Sequence, residues 1–167
     1  MSGQAQPLIE LQCAPGIELP AGASIPAWIA AAFARLPAHQ PGEISLRLVD
    51  ADESQSMNKQ FRHRDMPTNV LAFPAEELPG LPVQACAMLG DLVICVPVMQ
   101  VEAVAQGKTP LAHFAHLVVH GTLHLLGLDH QTDEQARHME GLETEILQDL
   151  GFPDPYCSAE HRQEAAR

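Results

Sequence analysis

The spacing of apolar and polar positions changes along the chain and divides it into strands and helices. Residues 42–50 place apolar side chains at every second position, which predicts a strand with one buried face. Residues 87–96 form a continuous apolar run, typical of a buried strand. The complete prediction is strands at 7–13, 42–50, 68–74 and 87–96, helices at 24–36, 51–63, 97–107, 109–127 and 133–150, and an irregular loop at 75–87.

Capping residues mark the ends of several predicted helices. Expected N-caps are Ser24 and Thr109, Thr132 and Gln135 match a capping box, and Gly127 and Gly151 match left-handed helix stops. Strands and helices are interspersed without a regular βαβ rhythm. We therefore predict a single α+β domain over residues 1–167, with helices packed on one small mixed sheet.

Length and composition indicate an ordinary globular domain. The chain has 167 residues, of which 46% are hydrophobic, and no apolar run reaches the roughly 18 residues needed to cross a membrane. The opening segment MSGQAQPLIELQ lacks the basic and apolar regions of a signal peptide. We expect a cytoplasmic protein without a membrane segment.

The four cysteines (Cys13, Cys86, Cys95 and Cys157) are far apart in the sequence, which favours reduced, mostly buried thiols over metal ligands.

Charge is distributed unevenly along the chain. The net charge of −12 argues against unspecific binding of nucleic acid, which needs clustered positive charge. Lys59, Arg62 and Arg64 nevertheless fall close together in the segment KQFRHR. Such a cluster is more often an ordinary charged face, but beside a metal an arginine matches a phosphate. One local basic patch is compatible with a polyanionic substrate bound at a single place.

The segment HGTLHLLGLDH contains three histidines with metal-ligand spacing. His120 and His124 are four residues apart, so on a helix their Cβ atoms lie roughly 5–6 Å apart on one face. Gly127 ends the helix, and the chain then folds back so that His130 approaches from the loop. Three imidazoles with an open fourth position predict a catalytic zinc site, with one Zn²⁺ per chain. The alternative is a buried helix whose histidines pair with backbone groups or with one another.

Neighbouring residues leave several roles open. Asp129 is either a turn residue or a group that orients a metal-bound histidine from behind. His116 and His113 lie on the same helical face as the predicted ligands, and we expect them to support the site or to pack. Gly121 occupies the position at which H-E-x-x-H proteases carry their general base, which weakens a peptidase interpretation.

Taken together, these motifs resemble a known family. HGTLHLLGLDH, Asn58–Phe61–Arg62, PTNVLAFP (67–74) and LGDLVI (89–94) are similar to the YbeY family of bacterial rRNA-maturation endoribonucleases. The resemblance runs from about residue 43 to the DPY at 154–156 and is less specific over 1–40 and 157–167. Two positions depart from the family pattern: Leu128 stands where tyrosine is usual, and Asn69 where aspartate is common.

The resemblance implies a zincin-like fold and specific roles for several residues. It implies zinc held by His120, His124 and His130, and an essential arginine that matches Arg62. It further implies action on single-stranded RNA in maturation of the 16S rRNA 3′ end and in ribosome quality control. The implied partners are the small ribosomal subunit, through one of its proteins, and an assembly GTPase.

These considerations predict metal-assisted cleavage of a phosphodiester, with either water or the ribose 2′-OH as nucleophile. Arg62 is expected to hold the phosphate and stabilise the transition state. Lys59 and Arg64 are expected to guide the RNA strand. Two alternatives remain: a metallopeptidase or other zinc hydrolase, and a ribosome-assembly factor whose zinc is structural and whose catalysis is marginal.

Overall fold

A computed structural model describes residues 7–36, 42–75 and 88–157. Four strands and five helices lie in these ranges: β1 (Leu8–Cys13), α1 (Ile25–Ala34), β2 (Glu43–Val49), α2 (Ala51–Arg62), β3 (Val70–Pro74), β4 (Met88–Cys95), α3 (Val96–Ala105), α4 (Pro110–Leu125) and α5 (Asp133–Asp149). No end of a predicted element differs from these bounds by more than two residues. The predicted loop at 75–87 lies outside the described residues beyond Ala75.

The four strands form one mixed sheet in the order β1-β2-β4-β3. β1 pairs with β2 and β2 with β4 in parallel, whereas β3 pairs with β4 in antiparallel fashion. A small mixed sheet with helices packed on it is therefore confirmed, and the domain is α+β. Among the described strands, β3 lies at one edge of the sheet and pairs with β4 alone.

The two faces of the sheet carry separate sets of apolar side chains. Even-numbered residues such as Leu46, Leu48 and Leu92 belong to the larger core beneath α1 and α4. Odd-numbered residues such as Val93 and Cys95 belong to a smaller cluster that includes Met57 of α2. This alternation explains the sequence pattern, because consecutive side chains of a strand point to opposite faces. β4 is covered on both faces and is accordingly apolar throughout its second half.

Helix α4 is the central helix of the domain and contacts α1, α3, α5, β3 and β4. It packs closely on the sheet at Gly121, where an added Cβ would lie 2.7 Å from Leu92 Cδ2. The predicted cap is present, since Thr109 Oγ1 accepts a hydrogen bond from Ala112 N at 3.1 Å. The capping box of Thr132 and Gln135 is present at the start of α5 as well.

Two sequence-based predictions need correction. Ser24 occupies the N-cap position of α1, but its side chain makes no capping hydrogen bond, because its backbone is not in the extended conformation typical of caps. The thiols are also not mostly buried: of the three cysteines described, only Cys95 is buried. Cys13 is exposed at the end of β1, a strand whose residues are mostly exposed.

Membrane-spanning segments were also sought over the described ranges. No helix there is both long enough and apolar enough to cross a bilayer.

Candidate metal centre

Two of the three histidines project from the last two turns of α4. His120 and His124 lie one turn apart, and their Nε2 atoms are separated by 3.1 Å. Their rings meet edge to face, with centroids 4.6 Å apart. The i, i+4 spacing on a regular helix accounts for this approach.

The third histidine reaches the cluster because the chain turns at Gly127, just after the end of α4. Gly127 has φ +95°, and its N–H donates to the His124 carbonyl at 3.0 Å. The backbone then reverses and brings the His130 ring to centroid distances of 4.9 Å from His124 and 5.5 Å from His120. One nitrogen from each of the three rings lies within 4.8 Å of the other two. The left-handed conformation of Gly127 thus allows the chain to bring His130 next to the other two histidines.

The cluster has the donor set and dimensions of a metal site. A tetrahedral metal with bonds of about 2.0–2.1 Å holds its ligand nitrogens ~3.3 Å apart, close to the His120–His124 separation. Burial, followed by the neighbouring imidazoles of His120 and His130, lowers the pKa of His124 below its usual value. A neutral imidazole is the form that coordinates a metal. The three residues therefore fit a divalent metal with nitrogen preference.

A buried carboxylate supports the cluster from behind. Glu143 on α5 is fully buried, and His120 Nδ1 and Tyr156 OH donate to it in short hydrogen bonds. His116 Nε2 donates to Glu143 Oε2 at 3.1 Å. Burial by itself would raise the pKa of Glu143, but the hydrogen bonds from His116 and His120 outweigh it and lower the pKa to about 2. Glu143 is therefore an ionised acceptor.

The protonation of His120 follows from this contact. An ionised carboxylate only accepts, so the proton of the neutral imidazole resides on Nδ1 of His120. The lone pair then lies on Nε2, the nitrogen that faces His124. A carboxylate behind a histidine is the usual device that fixes the tautomer and orientation of a metal ligand.

The two supporting residues named from the sequence lie in different positions. His116 contacts Glu143, the same carboxylate that His120 contacts. Asp129 Oδ1 accepts a hydrogen bond from His130 N at 2.8 Å, a contact typical of a turn residue. His113 instead contacts Glu102 of α3, with Nε2 and Oε2 2.7 Å apart.

Arg62 lines the same cleft as the three histidines. This arginine cleft, of about 570 Å³, is lined by Arg62, Ala72, Pro74, His120, His124, Gly127, Asp129 and His130, among others. Arg62 Nη2 donates to the Ala72 carbonyl at 3.0 Å, and its guanidinium carbon lies 5.3 Å from the centre of the Phe73 ring. These contacts hold the guanidinium beside β3 and leave other N–H groups for a ligand.

The other two basic residues lie outside the arginine cleft. Lys59 Nζ is 3.2 Å from Asp65 Oδ2 in an exposed ion pair that solvent screens. Arg64 is exposed, and its backbone N–H donates to the Asn58 carbonyl at 3.3 Å. Neither residue is among those that line the arginine cleft.

Comparison with known proteins identifies the family. The family model described as Endoribonuclease YbeY matches residues 20–151. The chain belongs to the endoribonuclease YbeY family. The resemblance drawn from the sequence motifs is confirmed, and it extends further towards the N-terminus than those motifs do.

Curated members of the YbeY family cover most of the chain. The YbeY endoribonuclease of Halorhodospira halophila is 50% identical over 84% of this chain and 90% of its own length. That of Chromohalobacter salexigens is 51% identical over 83% of this chain and 88% of its own length. A solution structure of a Thermotoga maritima protein covers 89% of this chain and 99% of its own, at a TM-score of 0.53 and 21% identity. That likeness concerns the fold alone.

One departure from the YbeY pattern has a visible structural counterpart. Asn69 Nδ2 donates to Glu102 Oε2 at 3.1 Å, and its Oδ1 accepts from Val70 N at 2.7 Å. An aspartate here would lack the N–H that Glu102 accepts. Leu128, the second departure, packs against the main core.

Sequence reasoning missed three polar residues around the histidines. Glu143 of α5 and Tyr156, which follows that helix, both contact His116. Glu102 of α3 contacts His113. In the sequence, Glu143 is one of several acidic residues of α5. In the structure it is fully buried, whereas Glu140 and Asp133 are exposed. A signal was available, since Glu143 falls in the register of Met139 and Leu147, which are buried too.

Proposed function

We propose that this protein is a zinc-dependent, single-strand-specific endoribonuclease that matures the 3′ end of 16S rRNA and takes part in ribosome quality control. Family membership supports the endoribonuclease activity, because the curated relatives bear that name. The observation that carries the proposal for this chain is the convergence of three imidazoles and one arginine on a single cleft.

His120, His124 and His130 are the proposed ligands of one Zn²⁺. The support is their mutual distance, together with the carboxylate that holds His120 by Nδ1. When bound, such an ion would supply Lewis-acid polarisation of a phosphoryl oxygen. Three protein ligands leave a further coordination position for the substrate.

Arg62 is the proposed catalytic residue on the phosphate. Its guanidinium is held by the Ala72 carbonyl and the Phe73 ring, so little side-chain freedom remains to be lost when a phosphate binds. A fixed fork of N–H donors in the cleft that the histidines line would orient the phosphate and stabilise charge that develops on its oxygens. Asp129 and His116 are proposed to support the ligands rather than to contact RNA.

The close packing at Gly121 supports a nuclease over a peptidase of the H-E-x-x-H class. In those enzymes a glutamate follows the first histidine and acts as general base. An added Cβ here would lie 2.7 Å from Leu92 Cδ2 and 3.5 Å from Val70 Cγ2. A glutamate at this position would therefore require Leu92 to shift.

Lys59 and Arg64 are proposed to contact the RNA strand outside the arginine cleft, next to Arg62 on the same segment of chain. Their exposure supports this role, since a flexible strand reaches exposed cations without rearrangement of the protein. The net charge of −12 favours partners that direct the enzyme to its substrate. We propose the small ribosomal subunit and its assembly factors for that role, in the cytoplasm.

The test is cleavage of a single-stranded fragment of the 16S rRNA 3′ end by zinc-loaded protein. We expect Arg62→Ala and His124→Ala each to lose at least about 100-fold in rate, whereas a fully paired version of the fragment stays intact. Arg137→Ala and His138→Ala are matched controls, because both residues are exposed on α5. Circular dichroism establishes that the variants are folded.

Equal cleavage by wild type, Arg62→Ala and His124→Ala would refute the nuclease site and identify the activity as a contaminant. A zinc-structured assembly factor would then be the better account. Analysis of the product ends separates the two nucleophiles: a 2′,3′-cyclic phosphate indicates the ribose 2′-OH, and a 3′-hydroxyl with a 5′-phosphate indicates water.

A further inference from the structure

A second cavity meets the arginine cleft at the histidine cluster. This Glu102 cavity, of about 830 Å³, is lined by Glu102, Val104, His113, Leu117, His120 and Tyr156, among others. It shares Asn69, Val70 and His120 with the arginine cleft. Its volume falls within the roughly 300–1,000 Å³ typical of ligand sites. The two cavities thus lie on either side of one histidine ligand and one stretch of β3.

An endonuclease needs space on both sides of the bond that it cuts, because its substrate continues in both directions. A phosphate held between Arg62 and the histidines occupies the arginine cleft. The neighbouring nucleotide on one side then falls beyond His120, at the Glu102 cavity. Contiguity with the proposed cleavage site therefore points to a nucleotide as the occupant of this cavity.

The chemistry beside Glu102 fits a base rather than a phosphate. Lys108 also lines the cavity, but the carboxylate of Glu102 repels a phosphate placed against it. Asn69 Nδ2 and His113 Nε2 hold this carboxylate at 3.1 and 2.7 Å, and both hydrogen bonds end on Oε2. An ionised carboxylate has acceptor capacity on both oxygens, so Oε1 is suited to accept from a base N–H.

Aromatic and apolar walls complete a base site. The ring of Tyr156 is half exposed, and its hydroxyl is fixed by Glu143. Val104 of α3, which is 80% exposed, also lines the cavity. Stacking of a base on an exposed aromatic ring is a general mode of single-strand recognition.

We infer that the Glu102 cavity binds the nucleobase adjacent to the cleaved phosphate and that Glu102 selects a base with N–H donors. Guanine ranks first, because its ring N–H and exocyclic amino group form two adjacent donors. Uracil ranks last, because its single N–H lies between two carbonyl oxygens that the carboxylate repels. The inference rests on the proposed function and deepens it, since it assigns a sequence preference to the same site.

The test compares cleavage and binding of four short single-stranded RNAs that differ only at the base beside the cut. Sequencing of the ends from a randomised pool first locates the position that matters. We expect wild type to favour guanine over uracil by roughly 10- to 100-fold in cleavage rate. Fluorescence anisotropy with metal-free protein supplies an affinity ratio that is independent of catalysis.

Two variants test the assignment. Glu102→Gln keeps an acceptor for His113 but adds an amide N–H₂ that donates to uracil carbonyls, so the guanine-to-uracil ratio should fall to about threefold or less. Val104→Trp narrows the cavity from an exposed position and should lower the same ratio without disturbing the buried pair. Glu18→Gln, exposed and outside every cavity lining described above, should keep the wild-type ratio. Thermal denaturation establishes that each variant is folded.

The outcomes separate the two proposals. If wild type cuts RNA without base preference, or if both variants keep the wild-type ratio, the base site is overturned while the nuclease function stands. If wild type cuts no RNA at all, the proposed function fails, and this inference fails with it. A preference that is lost in both variants, in cleavage and in affinity, supports the assignment.

Discussion

At the scale of single residues, the site depends on the two nitrogens of His120. Its Nε2 faces His124, and its Nδ1 donates to the buried carboxylate of Glu143. Glu143 in turn accepts from His116 and Tyr156, so one carboxylate fixes three aromatic side chains. Such a network fixes the ring orientation of a ligand before any metal binds.

Replacement of Glu143 should therefore weaken metal binding. We expect Glu143→Gln to lower Zn²⁺ affinity by roughly 10- to 100-fold, because a carboxamide is a weaker acceptor for His120 than a carboxylate. Competition with a chromophoric chelator measures this affinity directly. Glu140→Gln, an exposed change one turn earlier on α5, is the control. Equal affinities in the two variants would show that Glu143 does not position the ligand.

His113 should make stability sensitive to mildly acidic pH. Burial, which outweighs the opposing hydrogen bond to Glu102, lowers the pKa of His113 below 6.5. Its Nδ1 is buried without a partner among the described residues, so protonation there would leave an unpaired N–H. Between the folded and the unfolded pKa the unfolded state binds more protons, so the stability present above pH 6.5 declines as pH falls below it.

Urea denaturation of metal-free protein between pH 5 and 7.5 measures this decline. We expect His113→Gln, which keeps an N–H donor for Glu102, to show a shallower loss of stability than wild type over that range. His138→Gln, an exposed change on α5, should follow the wild-type curve. Identical slopes for wild type and His113→Gln would contradict the assignment.

At the scale of elements, the close approach of α4 to the sheet brings the histidines to β3. Gly121 permits this approach, since its lack of a Cβ leaves room for Leu92 and Val70. Gly127 then ends the helix with a positive φ, so that His130 returns to the same cleft. One glycine within α4 and one just after its end thus serve different purposes, the first in packing and the second in backbone conformation.

Alanine at Gly121 should destabilise the domain. The new Cβ would lie 2.7 Å from Leu92 Cδ2, and Leu92 is fully buried and cannot move freely. Overpacking costs about 1–3 kcal/mol, and the gain of about 0.5–1 kcal/mol in helix propensity offsets part of it. We expect a net loss of about 1–2 kcal/mol in the free energy of unfolding, measured with urea.

Gly141→Ala is the matched control for this prediction. Gly141 lies within α5 and has nothing within 4 Å of an added Cβ. The same substitution should therefore raise the free energy of unfolding by about 0.5–1 kcal/mol. If both variants changed stability in the same direction, close packing at Gly121 would not be the determining factor.

At the scale of the whole molecule, an acidic chain carries its proposed substrate site in a cleft that Arg62 lines. Nine Lys and Arg residues stand against 21 Asp and Glu, and Arg62 lines the arginine cleft together with the histidines. The surface as a whole repels RNA, so binding depends on few contacts. A small number of phosphate contacts should leave a weak dependence of affinity on salt.

The salt dependence of RNA binding tests which cations touch phosphate. For single strands each phosphate contact contributes about 0.7 to the slope of log affinity against log salt. We expect Arg62→Ala to lower the magnitude of that slope by about 0.7, and Arg137→Ala to leave it unchanged. The same measurement on Lys59→Ala and Arg64→Ala decides whether these exposed residues contact the strand. An unchanged slope for Arg62→Ala would exclude its contact with phosphate.

By itself, the sequence determined the features that depend on residues close together in the chain. The alternation of β2, the cap at Thr109 and the stop at Gly127 each follow from interactions within a few residues, and so does the pairing of His120 with His124. Tertiary structure alone decided which distant side chains join the site. Glu143 reaches His120, and Tyr156 reaches Glu143 and His116, only because α5 and the segment after it pack beside α4. Glu102 likewise reaches His113 only because α3 packs beside α4. Hydrogen bonds between elements depend on how those elements pack, and no periodicity within one segment encodes that packing.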